Sequence, residues 1–206
     1  MDRSPDPAFQ PRRLIYFPIV HNQADMGALS ESVKRASVKK IGRVGWKRKL
    51  DLIEQFWNEV EKAVEGLSIA PNRVRIYQDG LPVSGREADI VTELAEAGSR
   101  NHAVILRLMD RGAHLMGTES PELLLEEYET AKRRLESRNL PETKGYEGLG
   151  NNSMLVRRDR FIAQRINETL RPGDLGIVFL GMLHSLEPWL AKDIRVAYPL
   201  HRPVTG

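Results

Sequence analysis

The sequence predicts an α/β fold, with a mostly parallel sheet of about five strands and helices on both faces. Three observations predict it. Short apolar segments rich in β-branched and aromatic residues alternate with longer segments whose apolar residues recur at helical spacing. The segment 175–181 is apolar at nearly every position, which is typical of a strand covered on both faces. The 206 residues also suit one domain. We therefore expect an N-terminal arm over residues 1–12 and a single α/β domain over 13–206.

Five segments are predicted to be strands. The first, residues 13–20, includes Pro18, which removes one backbone donor and weakens the assignment. The second, residues 73–77, alternates apolar and polar side chains and ends at the turn sequence QDGLP. The remaining three are predicted at 113–116, 175–181 and 194–198.

Helices are predicted between these strands. Apolar spacing indicates them at 24–38, 50–67, 87–97, 101–111, 120–135, 154–170 and, briefly, 186–190. Ser120 and Pro121 are typical of a helix start. Gly42 and Gly45 predict a loop between the first two helices, and residues 138–152, with three glycines, predict a long loop that is either a lid or a disordered segment.

Composition and motifs exclude several classes of protein. The chain has no cysteine, which excludes disulfides, thiol nucleophiles and cysteine zinc sites. It also lacks the Gly-x-Ser-x-Gly of serine hydrolases and the glycine-rich loops that bind nucleotide phosphates. No apolar stretch approaches the length of a membrane span, and the first residues have no signal-peptide core. We expect a cytoplasmic protein with no membrane partner and leave its oligomeric state open.

One segment is strongly basic although the net charge is only +3. Between Val33 and Leu50 no acidic residue interrupts eight basic ones, Lys34, Arg35, Lys39, Lys40, Arg43, Lys47, Arg48 and Lys49. Such a run is usually a solvated surface, but it could also contact phosphates, with Trp46 as the one aromatic residue available to stack on a base. A nucleic-acid-binding protein that uses residues 34–49 is therefore kept as an alternative.

Polar residues follow each predicted strand. Ligands bind at the carboxyl ends of the strands in open α/β sheets, and these ends carry His21, Asp79, Glu119 and His184. Two imidazoles and two carboxylates would hold a divalent Mn, Zn or Fe ion, or would carry out general acid–base catalysis. The competing interpretation is that each residue serves its own turn, since Ser120 and Pro121 already explain a helix start beside Glu119.

Two adjoining segments resemble a known superfamily. Residues 158–166, RDRFIAQRI, followed by 175–184, LGIVFLGMLH, resemble the closing part of the TraB/TIKI, erythromycin-esterase and ChaN-like group. The strand that leads to His21 and the acid Asp79 after a second strand are similar in layout, although Pro18-Ile19-Val20 stands where the esterase branch has Gly-Glu before its first histidine.

The resemblance implies an α/β fold with a site at the strand ends, and hydrolytic, metal-dependent proteolytic or haem-binding activity in different branches. On this basis His21 and His184 would bind a metal or act as base and acid, and Asp79 would be a third ligand or would orient a histidine. Arg160, or alternatively Arg158, would stabilise negative charge on the substrate. The prediction is a metal-assisted hydrolase of a small-molecule or peptide substrate. A non-catalytic ligand- or haem-binding protein is the other alternative.

Overall fold

Five parallel strands form one sheet in the computed structural model, which describes residues 11–19, 30–67, 70–136 and 147–200. The strands are β1 (Arg12–Ile19), β2 (Val74–Gln78), β3 (His114–Met116), β4 (Leu175–Gly181) and β5 (Ile194–Ala197). Their order across the sheet is β3-β2-β4-β1-β5, and every pairing is parallel. The predicted fold class is therefore confirmed.

Helices cover both faces of this sheet. They are α1 (Ser30–Glu65), α2 (Glu87–Glu96), α3 (Arg100–Asp110), α4 (Pro121–Glu136) and α5 (Glu147–Thr169), with single 3₁₀ turns at Pro71–Arg73 and Glu187–Trp189. One core lies between the sheet and α1, α2 and α3, and contains Trp57, Val91 and Ile105. The other lies under α5, whose Ile162 and Ile166 are buried together with Leu170, the residue after the helix.

Alternation along the strands divides the side chains between these two cores. Phe17 and Phe179 face the α1 side, where their rings stack with centroids 5.4 Å apart. Tyr16 and Val178 point to the α5 side. Pro18 is tolerated in β1 because β5 pairs only with Arg12–Ile15, so Pro18 lies beyond the part of β1 that has neighbours on both sides.

Two predicted loops differ from the structure. The break predicted at Gly42 is present, because Gly42 has the non-helical φ of 70° and ψ of 171° and α1 consists of two helical halves that meet there, but the break is a kink and does not extend as a loop to Gly45. Residues 147–152 belong to α5 and not to a loop. A glycine inside a helix, such as Gly45, costs only about 1 kcal/mol relative to alanine, so flanking residues that favour the helix can outweigh it. The remainder of the predicted loop, 138–146, lies outside the described residues.

None of the helices in the described ranges combines the length and the apolarity that crossing a bilayer requires.

Candidate active site at the carboxyl edge of the sheet

Three neighbouring strands bring Asp79, Glu119 and His184 to one edge of the sheet. Asp79 directly follows β2, and its backbone N–H donates to the Phe179 carbonyl of β4 over 2.8 Å. Glu119 follows β3, and His184 lies three residues after the last residue of β4. All three side chains are buried, with relative exposures of 9%, 0% and 4% in the order given. The carboxyl ends of the strands therefore meet as the sequence predicts.

Backbone amides position the two carboxylates. The Gly181 N–H donates to Asp79 Oδ2 over 2.9 Å, and the Gly80 N–H donates to Glu119 Oε1 over 3.0 Å. Gly80 has φ +72°, a conformation that only glycine adopts readily. A Cβ on Gly181 would lie 3.2 Å from Asp79 Oδ2. Glycine at both positions thus lets the backbone approach the carboxylates closely.

Arg158 of α5 joins carboxylates from three parts of the chain. Its Nη2 donates to Asp79 Oδ1 over 2.7 Å and also to Glu119 Oε1. Its Nε donates to Glu119 Oε2 over 2.8 Å, and its Nη1 donates to Glu127 Oε2 of α4 over 2.8 Å. Since the Arg158 side chain is only 8% exposed, these contacts hold the guanidinium in one orientation.

His184 is held between two carboxylates. Its Nδ1 lies 2.6 Å from Asp159 Oδ1, and the other Asp159 oxygen accepts the Ser185 N–H over 3.1 Å. On the opposite side of the ring, Nε2 lies 3.7 Å from Asp79 Oδ1. The imidazole therefore connects Asp159 of α5 with Asp79 of β2.

These contacts shift the pKa values of the cluster. Burial opposes the protonation of His184, but its contacts with Asp159 and Asp79 outweigh burial and raise its pKa to about 9. Burial likewise favours the neutral form of Asp79, yet the bond with His184 and the charges of His184 and Arg158 hold the pKa of this carboxyl well below its usual range. At neutral pH the cluster therefore contains an imidazolium and an ionised Asp79.

A cavity of ≈ 380 Å³ opens beside the cluster. Its polar wall includes Asp79, Glu127 and Arg158, and its apolar wall is formed by Leu81, Ile90, Leu94 and Leu124. The remaining lining residues are Gln78, Gly80 and His102. The volume suits a small organic ligand or the end of a larger one.

The described carboxylates do not fit a metal-ligand set. Asp79 and Glu119 already accept hydrogen bonds on both of their oxygens, and the Arg158 guanidinium occupies the position between them. In the part of the chain that the structure describes, no group of three histidine or carboxylate residues is arranged to hold a metal. His21, the remaining predicted ligand, lies outside the described residues. Metal binding therefore stays a prediction.

The two arginine alternatives differ in position. Arg158 lies in the cluster, whereas Arg160 is exposed and its guanidinium stacks over the Trp189 ring at 4.2 Å from the centroid. The structure thus brings together Asp79, Glu119, His184 and Arg158, and places Arg160 on the outer side of α5.

Tyr77 of β2 is not placed to serve as a haem ligand. Its side chain is fully buried, its hydroxyl forms a hydrogen bond with Thr169 over 2.8 Å, and burial raises its pKa to about 12.

Sequence reasoning missed the role of Asp159 and Glu127. One signal could have revealed Asp159. The apolar stripe of α5 runs through Ile162, Ala163, Ile166 and Leu170, and the same helical spacing leads back to residue 159. A charged residue on a buried stripe requires a buried partner. Glu127 lies on a mostly polar helix surface and carries no comparable signal.

Comparison of the chain with protein-family models, with curated proteins and with solved structures gave no significant match. The resemblance to the TraB/TIKI and ChaN-like group therefore stays a prediction.

Proposed function

We propose that the protein is a hydrolase in which His184 transfers protons and Arg158 stabilises negative charge on the substrate. The observation that carries this proposal is the line of groups Asp159–His184–Asp79, with separations of 2.6 and 3.7 Å, beside a guanidinium that lines a cavity. A carboxylate bound to one imidazole nitrogen orients the ring and stabilises its protonated form, which is the arrangement that general acid–base catalysis requires.

The reaction begins with a protonated His184. Water adds to an electrophilic acyl carbon of the substrate, and the developing oxyanion lies near the Arg158 guanidinium. His184 does not itself line the cavity, so its Nε2 proton reaches the leaving group through Asp79, which lines the cavity and whose Oδ1 lies 3.7 Å from Nε2, as the scissile bond breaks. The neutral ring then takes the proton that the added water releases, which returns His184 to its starting state. Asp159 positions the ring and does not exchange a proton.

The shape of the cavity supports a small or end-bound substrate. Its volume of ≈ 380 Å³ matches a small organic molecule or one terminal group of a peptide. Leu81, Ile90 and Leu124 form an apolar side that would hold the part of the substrate that does not react. The absence of cysteine from the sequence supports a reducing, cytoplasmic setting.

A panel of chromogenic esters, amides and phosphomonoesters tests the activity. His184→Gln should lower kcat on any accepted substrate by about 100-fold or more, because general acid–base catalysis contributes at least that much. Arg157→Gln is the matched control, since Arg157 is half-exposed, pairs with Glu126 and does not line the cavity. Equal turnover by His184→Gln and the wild type would contradict the proposal.

The pH profile separates catalysis from a structural role. The kcat of the wild type should fall as the pH rises through about 9, where His184 loses its proton. Asp159→Asn removes one of the charges that hold the proton, so the basic limb should move to lower pH. A basic limb at the same pH in both proteins would exclude Asp159 as the positioning residue.

A further inference from the structure

The first part of α1 carries the strongest concentration of positive charge in the described chain. The basic segment, residues 34–49, holds eight lysines and arginines and no acidic residue, and all of the eight except Lys34 are exposed. These charges lie on both sides of the kink at Gly42, in the two helical halves of α1. Among the α1 side chains that the structure describes, in contrast, the buried ones are Trp57, Val60 and Val64.

A groove in this segment is lined by residues on both sides of the kink at Gly42. The groove, of ≈ 520 Å³, is lined from the first half of the segment by Lys34, Arg35, Val38 and Lys39, and from the second half by Arg43 and Trp46, with Glu31 at one end. We refer to it as the α1 groove. Its lining is therefore four cations, one aliphatic side chain, one aromatic side chain and a single acid.

Two further observations concern the aromatic residue. Trp46 is half-buried, and the Lys49 ammonium lies 5.6 Å from the centroid of its ring, so cationic groups surround the indole. Glu31, the acid at the end of the groove, lies 3.5 Å from Lys34 and pairs with it. Arg35, Lys39 and Arg43 remain as positive charge in the walls of the groove.

We infer that the α1 groove binds single-stranded nucleic acid, with a base against Trp46 and the neighbouring phosphates on Arg35, Lys39 and Arg43. Charge complementarity identifies the partner as a polyanion. The concave shape and the aromatic residue favour a single strand. The unpaired bases of a single strand can stack on an aromatic ring while its phosphates contact the cations of the groove. An anionic lipid surface is flat and would contact the exposed Ile41 and Val44 instead of the groove.

Fluorescence anisotropy with labelled (dT)₂₀ tests this inference. Binding should be detectable at 50 mM NaCl and should weaken with salt, with a slope of about −0.7 for each phosphate neutralised. The double variant Lys39→Gln, Arg43→Gln should make that slope shallower by about 1.4. The control Lys62→Gln, Lys192→Gln removes the same charge from exposed positions outside the groove and should leave the slope unchanged.

Two variants separate a groove from a simple patch of charge. Trp46→Ala should weaken binding about tenfold without changing the salt slope, and Trp46→Phe should restore most of the loss. Gly42→Ala keeps every cation but places a Cβ at φ +70°, which disfavours the kink, so a similar loss is expected. Circular dichroism melting confirms that each variant remains folded.

Three results would overturn the inference. The first is no binding of (dT)₂₀ at 50 mM NaCl. The second is equal affinity of the wild type, Trp46→Ala and Gly42→Ala, which would show a charge patch without a groove. The third is sedimentation with vesicles of phosphatidylcholine and phosphatidylserine in the presence of saturating (dT)₂₀, which would show a lipid surface as the partner.

Discussion

Arg158 and the basic segment use positive charge in opposite ways. Arg158 is buried and contacts the three carboxylates Asp79, Glu119 and Glu127. The cations of the basic segment are mostly exposed, and among the described ion pairs only Lys34 has a carboxylate partner, in Glu31. The first arrangement fixes the orientation of one guanidinium at the wall of a cavity, whereas the second leaves several charges exposed along a helix.

The difference predicts different responses to the solvent. At 0.1 M salt, exposed charges that lie more than about 10 Å apart are largely screened from one another, but buried pairs are screened much less. Removing one member of a buried pair leaves its partners uncompensated, whereas removing an exposed charge leaves only better-hydrated neighbours. The same change of charge should therefore be costly in one region and almost neutral in the other.

The largest effect is expected from Arg158→Met. This substitution leaves Asp79 and Glu119 buried without their cation, so the free energy of unfolding should fall by about 3–5 kcal/mol. Urea denaturation measures it, with Lys39→Met as the matched control, for which a change within about 0.5 kcal/mol is expected. Equal losses in the two variants would remove the distinction between the regions.

The stability of the wild type should also depend on pH through His184. The folded pKa of about 9 lies above the ordinary value of 6.5, so the contribution is complete below about pH 6.5 and is lost as the pH rises through about 9. The loss is on the order of 3 kcal/mol. Urea denaturation at pH 6, 8 and 10 measures it, and His184→Gln should flatten the profile over this window. A profile that is unchanged by His184→Gln would assign the slope to other groups.

A smaller effect is expected from Asp159→Asn. The amide keeps a polar group at His184 Nδ1 but removes its charge, so stability at pH 7 should fall by about 1–3 kcal/mol. The pKa of His184, followed by NMR, should fall with it. Asp193→Asn is the control, since Asp193 is half-exposed and its ion pair with Arg12 should contribute about 1 kcal/mol or less. A larger loss from the control would reverse the expected order.

The smallest effect is expected in the basic segment itself. Lys39→Gln, Arg43→Gln relieves repulsion between like charges, so the melting temperature should rise slightly at 20 mM NaCl and match the wild type at 0.5 M NaCl. Differential scanning calorimetry at both salt concentrations measures the change. A marked loss of stability would show that these cations hold the fold together.

Sequence patterns predicted the sheet well because its signals are local. The unalternating run at 175–181 and the alternating run at 73–77 became the central strands β4 and β2. Residues at the strand ends were predicted for the same reason, since a parallel sheet places every carboxyl end at one edge. Asp79, Glu119 and His184 came together accordingly.

The partners of these residues could not be predicted in the same way. Asp159 meets His184 across 25 positions of sequence, and Arg158 meets Asp79 across 79, so these pairs follow from how α5 lies on the sheet. Whether Arg158 or Arg160 lies in the site depends on which side of α5 faces the sheet. The apolar residues of α5 indicate that side only when the buried charged residues beside them are counted as part of the same stripe. The break at Gly42 was predicted, but its extent was not, because a glycine is compatible both with a loop and with a kink between two helices.

The guanidinium of Arg158 also determines when the site can exist during folding. It contacts Asp79, Glu119 and Glu127, which lie 79, 39 and 31 positions earlier in the sequence. The cluster therefore cannot form until the loops between these residues and Arg158 have closed. Local helices can appear earlier, but they do not contain this cluster. Assembly of the cluster is accordingly a late event, and a chain in which β2, β3 and α5 have not yet met would be helical and would lack it.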